Sequence, residues 1–304
     1  MNLVLACFPA FLWICNYRAE ARSMLPGLSL QTREIQLWVD ELRRADKNKA
    51  TKDQIKLNFQ GHTSSRTDED NAASRLFSYV DRSLLNKSSH RAMLALFDNY
   101  NRQTGTAELT TAAEKSEVRR FLDTVMQTPV MNSLLKLLRT KGHPFATDES
   151  TLKRHLEELW FGEYSRARGV PDTSGFEHVF VGEIKNGEIG GLHNWLRVYS
   201  LEQEGLLDYK GFLVKRNNLL AAVKFSWEGE MKHSGSFLIG TSPEFDLALF
   251  TMCFLTQRRC NFELDGCPMS ITSHTITQNG KSFVGSAYPS AGRYSESCRL
   301  SGRG

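Results

Sequence analysis

Cysteine is sparse in this chain, six residues in 304. There is no CxxC pair and no histidine near enough to complete a four-ligand set, which disfavours a zinc site. No apolar run is long enough to cross a bilayer comfortably, since a spanning helix needs about 20 residues. Internal repeats and low-complexity tracts are absent, and the turn-rich stretches from Asp46 to Asp53 and from Gly61 to Asn71 are too short to be interdomain linkers. What remains is ordinary globular composition, 40% apolar and 24% charged, which excludes wholesale disorder. A net charge of +4 points only weakly to a polyanionic partner.

The apolar run from Leu3 to Cys15 is followed by Ala19-Glu20-Ala21, the small-x-small pattern of a signal-peptidase site, so residues 1–21 read as a signal peptide and the protein as secreted. No Lys or Arg precedes the run, and a short membrane anchor is the competing reading; without a cleaved signal the protein would be intracellular. Cleavage would leave four cysteines, of which Cys260 and Cys267 flank a short polar segment and could form a disulfide. Asn86-Lys87-Ser88 is a glycosylation sequon consistent with export.

From about residue 30 to 165 the apolar residues recur at helical spacing, as in Ile35, Trp38 and Leu42 or Met131, Leu134, Leu135 and Leu138. From 171 to 289 the pattern changes to short alternating runs, HVFVGEI, KGFLVKR, LAAVKFSW, SFLIG, SITSHTI and SFVGSAY, the last two joined by the hairpin signal Asn279-Gly280. Two helices interrupt the strands, one beginning near His193 and one capped by Ser242 with Pro243 in its first turn. The fold class is α+β, a helical lobe followed by a catalytic lobe of antiparallel sheet. The Gly/Ser/Arg-rich tail, 290–304, reads as disordered.

Three residues carry candidate chemistry. His178, in GFEHVFVGE, is expected on a strand, with Glu177 and Glu183 on the opposite face as supporting or metal-contacting groups. His193 follows two glycines at a helix start, a setting that suits an anion. Lys232 is expected at a sheet edge or turn, where a fixed ammonium could stabilise a charged phosphorane. Two histidines at one phosphate are what RNA transesterification needs, one taking the 2′-hydroxyl proton and one protonating the departing 5′-oxygen. A lone histidine of either kind is most often structural, and Lys232 is one basic residue among 38.

The motifs GFEHVFVGE, GLHNW, DYKG, the Lys232 segment, GTSPEF and GSAYP occur in the order and spacing of the EndoU family of uridylate-specific endoribonucleases. ELRRADKNK, LFDNY and WFGEYSR extend the resemblance to the animal, XendoU-like branch, over about residues 30–289. The resemblance implies that His178 is the general acid, His193 the general base and Lys232 the third catalytic residue, with Glu177 and Glu183 in support. It also implies that Ser236, Ser286 and Tyr288 contact the uracil, by hydroxyl bonding and ring packing. The implied activity is cleavage of single-stranded, uridine-containing RNA to 2′,3′-cyclic phosphate and 5′-hydroxyl ends, by a monomer with no DNA substrate and no membrane anchor. Mn2+, or alternatively Ca2+, is implied as a stimulant not required by the chemistry, with Glu177 and Glu183 as possible ligands. Neither the tail nor Cys298 matches a family motif. The alternatives are an RNA-binding protein that keeps the fold without turnover, and a zinc hydrolase, for which a third nearby His or Cys is wanting.

Overall fold

The structure, a computed structural model, describes residues 25–167, 169–256 and 259–301; the expected signal peptide lies outside them. Helices dominate the first half because polar caps alternate with apolar stripes. α1 (Thr32–Ala45) buries Ile35, Val39 and Leu42 on one face. A small antiparallel hairpin, β1 (Ile55–Leu57) and β2 (Phe77–Val80), precedes α2 (Arg82–Leu85) and α3 (Ser88–Leu94). α4 (Ala112–Met126) starts with a capping box of Thr111 and Glu114, α5 (Pro129–Thr140) with Thr128 and a first-turn proline, and α6 (Glu149–Phe161) with Asp148.

The second half is built on two sheets. After the short pair β3 (Glu163–Tyr164) and β4 (Thr173–Ser174) come a π-helical turn at Glu177–Val181, β5 (Glu183–Lys185), β6 (Glu188–Gly190) and α7 (Trp195–Gln203). β7 (Leu207–Arg216), β8 (Leu220–Trp227) and β9 (Glu230–Leu238) complete a five-stranded sheet in the order β5-β6-β9-β8-β7, parallel only between β6 and β9. α8 (Pro243–Thr256) leads to the three-stranded sheet of β10 (Arg259–Leu264), β11 (Cys267–Gln278) and β12 (Lys281–Ala291), and the chain ends in α9 (Glu296–Ser301). The expected hairpin stands: Gln278 pairs with Lys281, and Asn279 and Gly280 both take positive φ, 51° and 72°.

After a first turn that carries Glu244 and Asp246, α8 is apolar on every side, and it is buried accordingly. It packs on α1, α3, α4 and α5 on one side and on β10, β11 and β12 on the other, so helical layer and sheet share one core.

Four expectations need correction. HVFVGEI is not one strand: Gly182 N–H bonds the Glu177 carbonyl, closing a π-turn, and only Glu183–Lys185 are extended. The aromatic pair Phe176 and Phe180, four apart, explains this, since a helical turn drives both rings onto one face against Phe161, Trp160 and Phe250. Lys232 lies within β9, not at an edge or turn. Cys260 does not bond Cys267, because the β10–β11 register sets Cys260 opposite Ile271 and Cys267 opposite Leu264; the disulfides are Cys253–Cys260 and Cys267–Cys298. Finally the tail through residue 301 is structured: β12 continues to Ala291 and Cys298 anchors α9 to the start of β11.

Closing a loop of 31 residues, the Cys267–Cys298 bond should stabilise the fold by about 3–4 kcal/mol through the unfolded chain's entropy. Replacing both cysteines by serine is expected to lower the urea midpoint accordingly; equal midpoints would show that α9 holds without the bond.

Candidate active site

The site is assembled on the π-turn. A π-turn leaves carbonyls free of regular helical bonding, and here two of them are used by the chain returning from β6: Leu192 N–H donates to His178 O at 2.9 Å and His193 N–H to Val179 O at 2.7 Å. So close an approach depends on Gly191, where a Cβ would fall 1.6 Å from the His178 carbonyl oxygen and φ is +62°. The GG before the second histidine is thus a packing requirement, and it brings two residues fifteen apart in sequence side by side. Asn194 then caps α7 by accepting from Arg197 N–H at 3.0 Å, and the Trp195 indole donates to Thr241 O at 2.8 Å.

The two imidazoles sit in different settings. His178 Nδ1 meets Glu183 Oε1 at 2.8 Å, and Glu183 also accepts from Thr173 Oγ1 at 2.6 Å and pairs with Arg166 Nε at 2.9 Å. Burial pushes the Glu183 carboxyl up, but His178, Arg166 and Thr173 together outweigh it and hold it below the ordinary carboxylate value. His178 itself lies below the ordinary histidine value, chiefly through burial, with Glu183 opposing. His193 Nδ1 donates to the Ser236 carbonyl at 2.9 Å, which leaves the lone pair on Nε2. Burial, then the charges of Lys232 and His178, carry His193 well below the usual value. Lys232 donates to Ile189 O at 2.9 Å, and burial brings its ammonium down to about 8.

Two of the expected uracil contacts, Tyr288 and Ser236, adjoin His193. The Tyr288 ring lies 5.4 Å from that of His193 and 6.2 Å from that of His274, nearly parallel to the latter. Ser286 stands opposite His274 in the β11–β12 ladder and is half-buried. Ser236 gives its hydroxyl hydrogen to the Pro289 carbonyl at 2.6 Å, so its oxygen remains available as an acceptor.

Glu177 and Glu183 were expected to share a face opposite His178, and neither does what that placement implied. Glu183 bonds the imidazole directly. Glu177 is fully buried with neither oxygen in good hydrogen-bonding geometry, and burial, then the charges of Glu108 and Glu183, hold its carboxyl well above the ordinary value against the opposing pull of Thr173 and Ser174. It lines a cavity of about 40 Å³ with Glu108, Glu114 and Glu163. Among the described residues no group of three or more His, Cys, Asp or Glu side chains is placed to hold a metal ion. Sequence reasoning missed Arg166, Thr173 and His274. Arg166 ends the WFGEYSR motif, and that was the only signal.

Two buried imidazoles differing in partner, beside a lysine with a lowered pKa, make a site for moving protons at a charged substrate. The sequence profile of the endoribonuclease XendoU family matches residues 34–289. A uridylate-specific endoribonuclease of Bos taurus is 36% identical over 295 residues, covering 93% of this chain and 70% of that protein. The Homo sapiens protein of that name is 38% identical over 268 residues, with 84% and 65% covered. Uridylate-specific endoribonuclease D of Xenopus laevis is 36% identical over 275 residues, with 86% and 90% covered. The chain therefore spans about two thirds of these mammalian relatives and nine tenths of the frog one. The structure of XendoU, a splicing-independent snoRNA-processing endoribonuclease, superposes with a TM-score of 0.72 at 31% identity, covering 85% of this chain and 97% of that one. Fold, site and relatives define an endoribonuclease. The chain belongs to the endoribonuclease XendoU family.

Histidine titration by 15N NMR is expected to find His193 protonated at Nδ1 and neutral until well below pH 6.5. In Glu183→Gln the His178 midpoint is expected to fall further, since the carboxylate that favours the imidazolium is gone; a rise would contradict the pairing.

Proposed function

We propose that the protein cleaves single-stranded RNA beside uridylates by transesterification, with His193 as base, His178 as acid and Lys232 as electrostatic partner. His193 Nε2 takes the proton of the 2′-hydroxyl, the 2′-oxygen attacks phosphorus, and His178 Nε2 protonates the 5′-oxygen as its bond breaks. The products are a 2′,3′-cyclic phosphate and a 5′-hydroxyl. The observation that carries this reading is the asymmetry of the two imidazoles: His193 is bonded through Nδ1–H to a neutral carbonyl and favours its base form, while His178 is backed by a carboxylate that favours the cation. An incoming phosphate favours protonation of His178 and adds a counter-charge for Lys232. Tyr288 and Ser236 offer a ring and a hydroxyl beside His193, and Ser286, two residues before Tyr288 on β12, offers a second hydroxyl, a set that suits a uracil base and its polar edge. Export fits the two disulfides, which persist in oxidising compartments.

Mn2+ or Ca2+ belongs to this proposal as a stimulant. Glu183 does not suit a metal, being taken up by His178, Arg166 and Thr173. Glu177 suits one in donor chemistry alone, as a buried carboxylate on a small cavity that it shares with Glu108, Glu114 and Glu163 but that Val118 and Phe161 also wall, where a cation would neutralise clustered acidic groups next to the π-turn. No catalytic step is assigned to it.

Single-uridine oligonucleotides with end-group analysis test the chemistry. His178→Ala and His193→Ala are each expected to lose about 10²–10⁴ in kcat and Lys232→Ala about 10²–10³, all remaining folded. Binding without cutting by wild-type protein, across ions and pH, would make the chain a non-catalytic RNA binder. For the cation, Glu177→Gln is expected to abolish any Mn2+-dependent rise in melting temperature; an undiminished rise places the ion elsewhere.

A further inference from the structure

A second surface, at the β7–β8 turn, combines aromatic rings with positive charge. At the β7–β8 turn the Lys215 ammonium lies 4.6 Å from the centroid of Phe59 and 4.4 Å from that of Phe212. The Arg216 guanidinium covers one face of Tyr294 at 5.2 Å. Tyr294 is 51% exposed, so the face away from Arg216 is open. Phe59, Lys215, Arg216 and Tyr294 line a cavity of about 450 Å³ with Asn217 and Asn218, and no carboxylate of the described residues borders it. Arg216 Nε is buried without an acceptor. Asn217 and Asn218 also border a neighbouring cavity of about 720 Å³ lined by Lys47 and Lys49 together with Asp46 and Asp265.

β12 connects this surface to the candidate active site. Its Pro289 carbonyl accepts from Ser236 on β9 and, three residues on, the Gly292 carbonyl accepts from Arg216 on β7 at 2.6 Å. The strand therefore crosses the five-stranded sheet from the uracil side to the aromatic–cationic side. Tyr288 and Tyr294 are six residues apart, at most roughly 20 Å along an extended chain, which is about six stacked nucleotides at ~3.4 Å per phosphate. The segment carrying Tyr294 is tied down: Ser295 Oγ bonds Gly266 O, and Cys298 is joined to Cys267.

We propose that Phe59, Lys215, Arg216 and Tyr294 form a docking platform for single-stranded RNA flanking the cleaved nucleotide. Tyr294 stacks one base on its open face while Lys215 and Arg216 meet the phosphates on either side. Ring stacking is indifferent to base identity and cations read only the backbone, so the platform adds affinity without adding sequence preference. It rests on the endoribonuclease reading for its substrate class.

The test compares a trinucleotide with a 12-mer, each holding one uridine, in wild type and in Lys215→Gln/Tyr294→Ser. The variant is expected to raise KM for the 12-mer about tenfold at unchanged kcat, to leave the trinucleotide unaffected, and to lessen the salt slope by about 0.7 per lost phosphate contact. Lys215→Arg/Tyr294→Phe, which keeps charge and ring, is expected to behave as wild type. Equal changes for both lengths, or none, overturn the platform. Anisotropy with a 12-mer carrying 2′-deoxyuridine reads the platform without the chemistry. Tenfold weaker binding by the first variant supports it even if nothing is cut, and unchanged affinity overturns it.

Discussion

The bond from the His193 amide to the Val179 carbonyl, 2.7 Å long, is the constraint on which the candidate site depends. It exists only because the chain at Glu177–Val181 winds as a π-turn and so presents carbonyls sideways, and because Gly191 has no side chain to keep the returning segment away. With that bond and its neighbour at Leu192, two imidazoles are fixed by backbone rather than by flexible side chains. The aromatic floor of Trp160, Phe176, Phe180 and Phe250 then fixes the π-turn itself. Geometry good enough for proton transfer needs such support beneath it.

The electrostatics follow from the same packing. A buried imidazole prefers neutrality, and His193 has only a carbonyl to oppose that preference, whereas His178 has Glu183. Glu183 in turn is held ionised by Arg166 and Thr173, residues of the β3–β4 region. Glu177, one residue before His178, points the other way and is left protonated or in need of a counter-charge. Adjacent positions on a helical turn are about 100° apart, so neighbours in sequence enter different environments.

Much of this was legible beforehand. The helical half, the Asn279-Gly280 hairpin and the cap at Ser242 carry local signals, and the structure has each of them. His178, His193 and Lys232 stood out because their motifs are long. The π-turn did not, since β-branched residues beside aromatics read as a strand and the deciding contacts, Leu192 to His178 and Phe180 to Phe250, are non-local. Arg166 and Thr173 were hidden for the same reason: nothing near them in sequence announces a carboxylate seventeen or ten positions on. For the cysteines proximity in sequence misleads, because register sets Cys260 opposite Ile271.

α8 has a consequence of a different kind. A helix with one wet face can drift in sequence over half its circumference, but α8 has no such face, and its two sides belong to different layers. Each of its turns is answerable at once to the helices that precede it and to the strands that follow. A substitution on α8 is therefore felt in the helical layer and in the sheet at the same time.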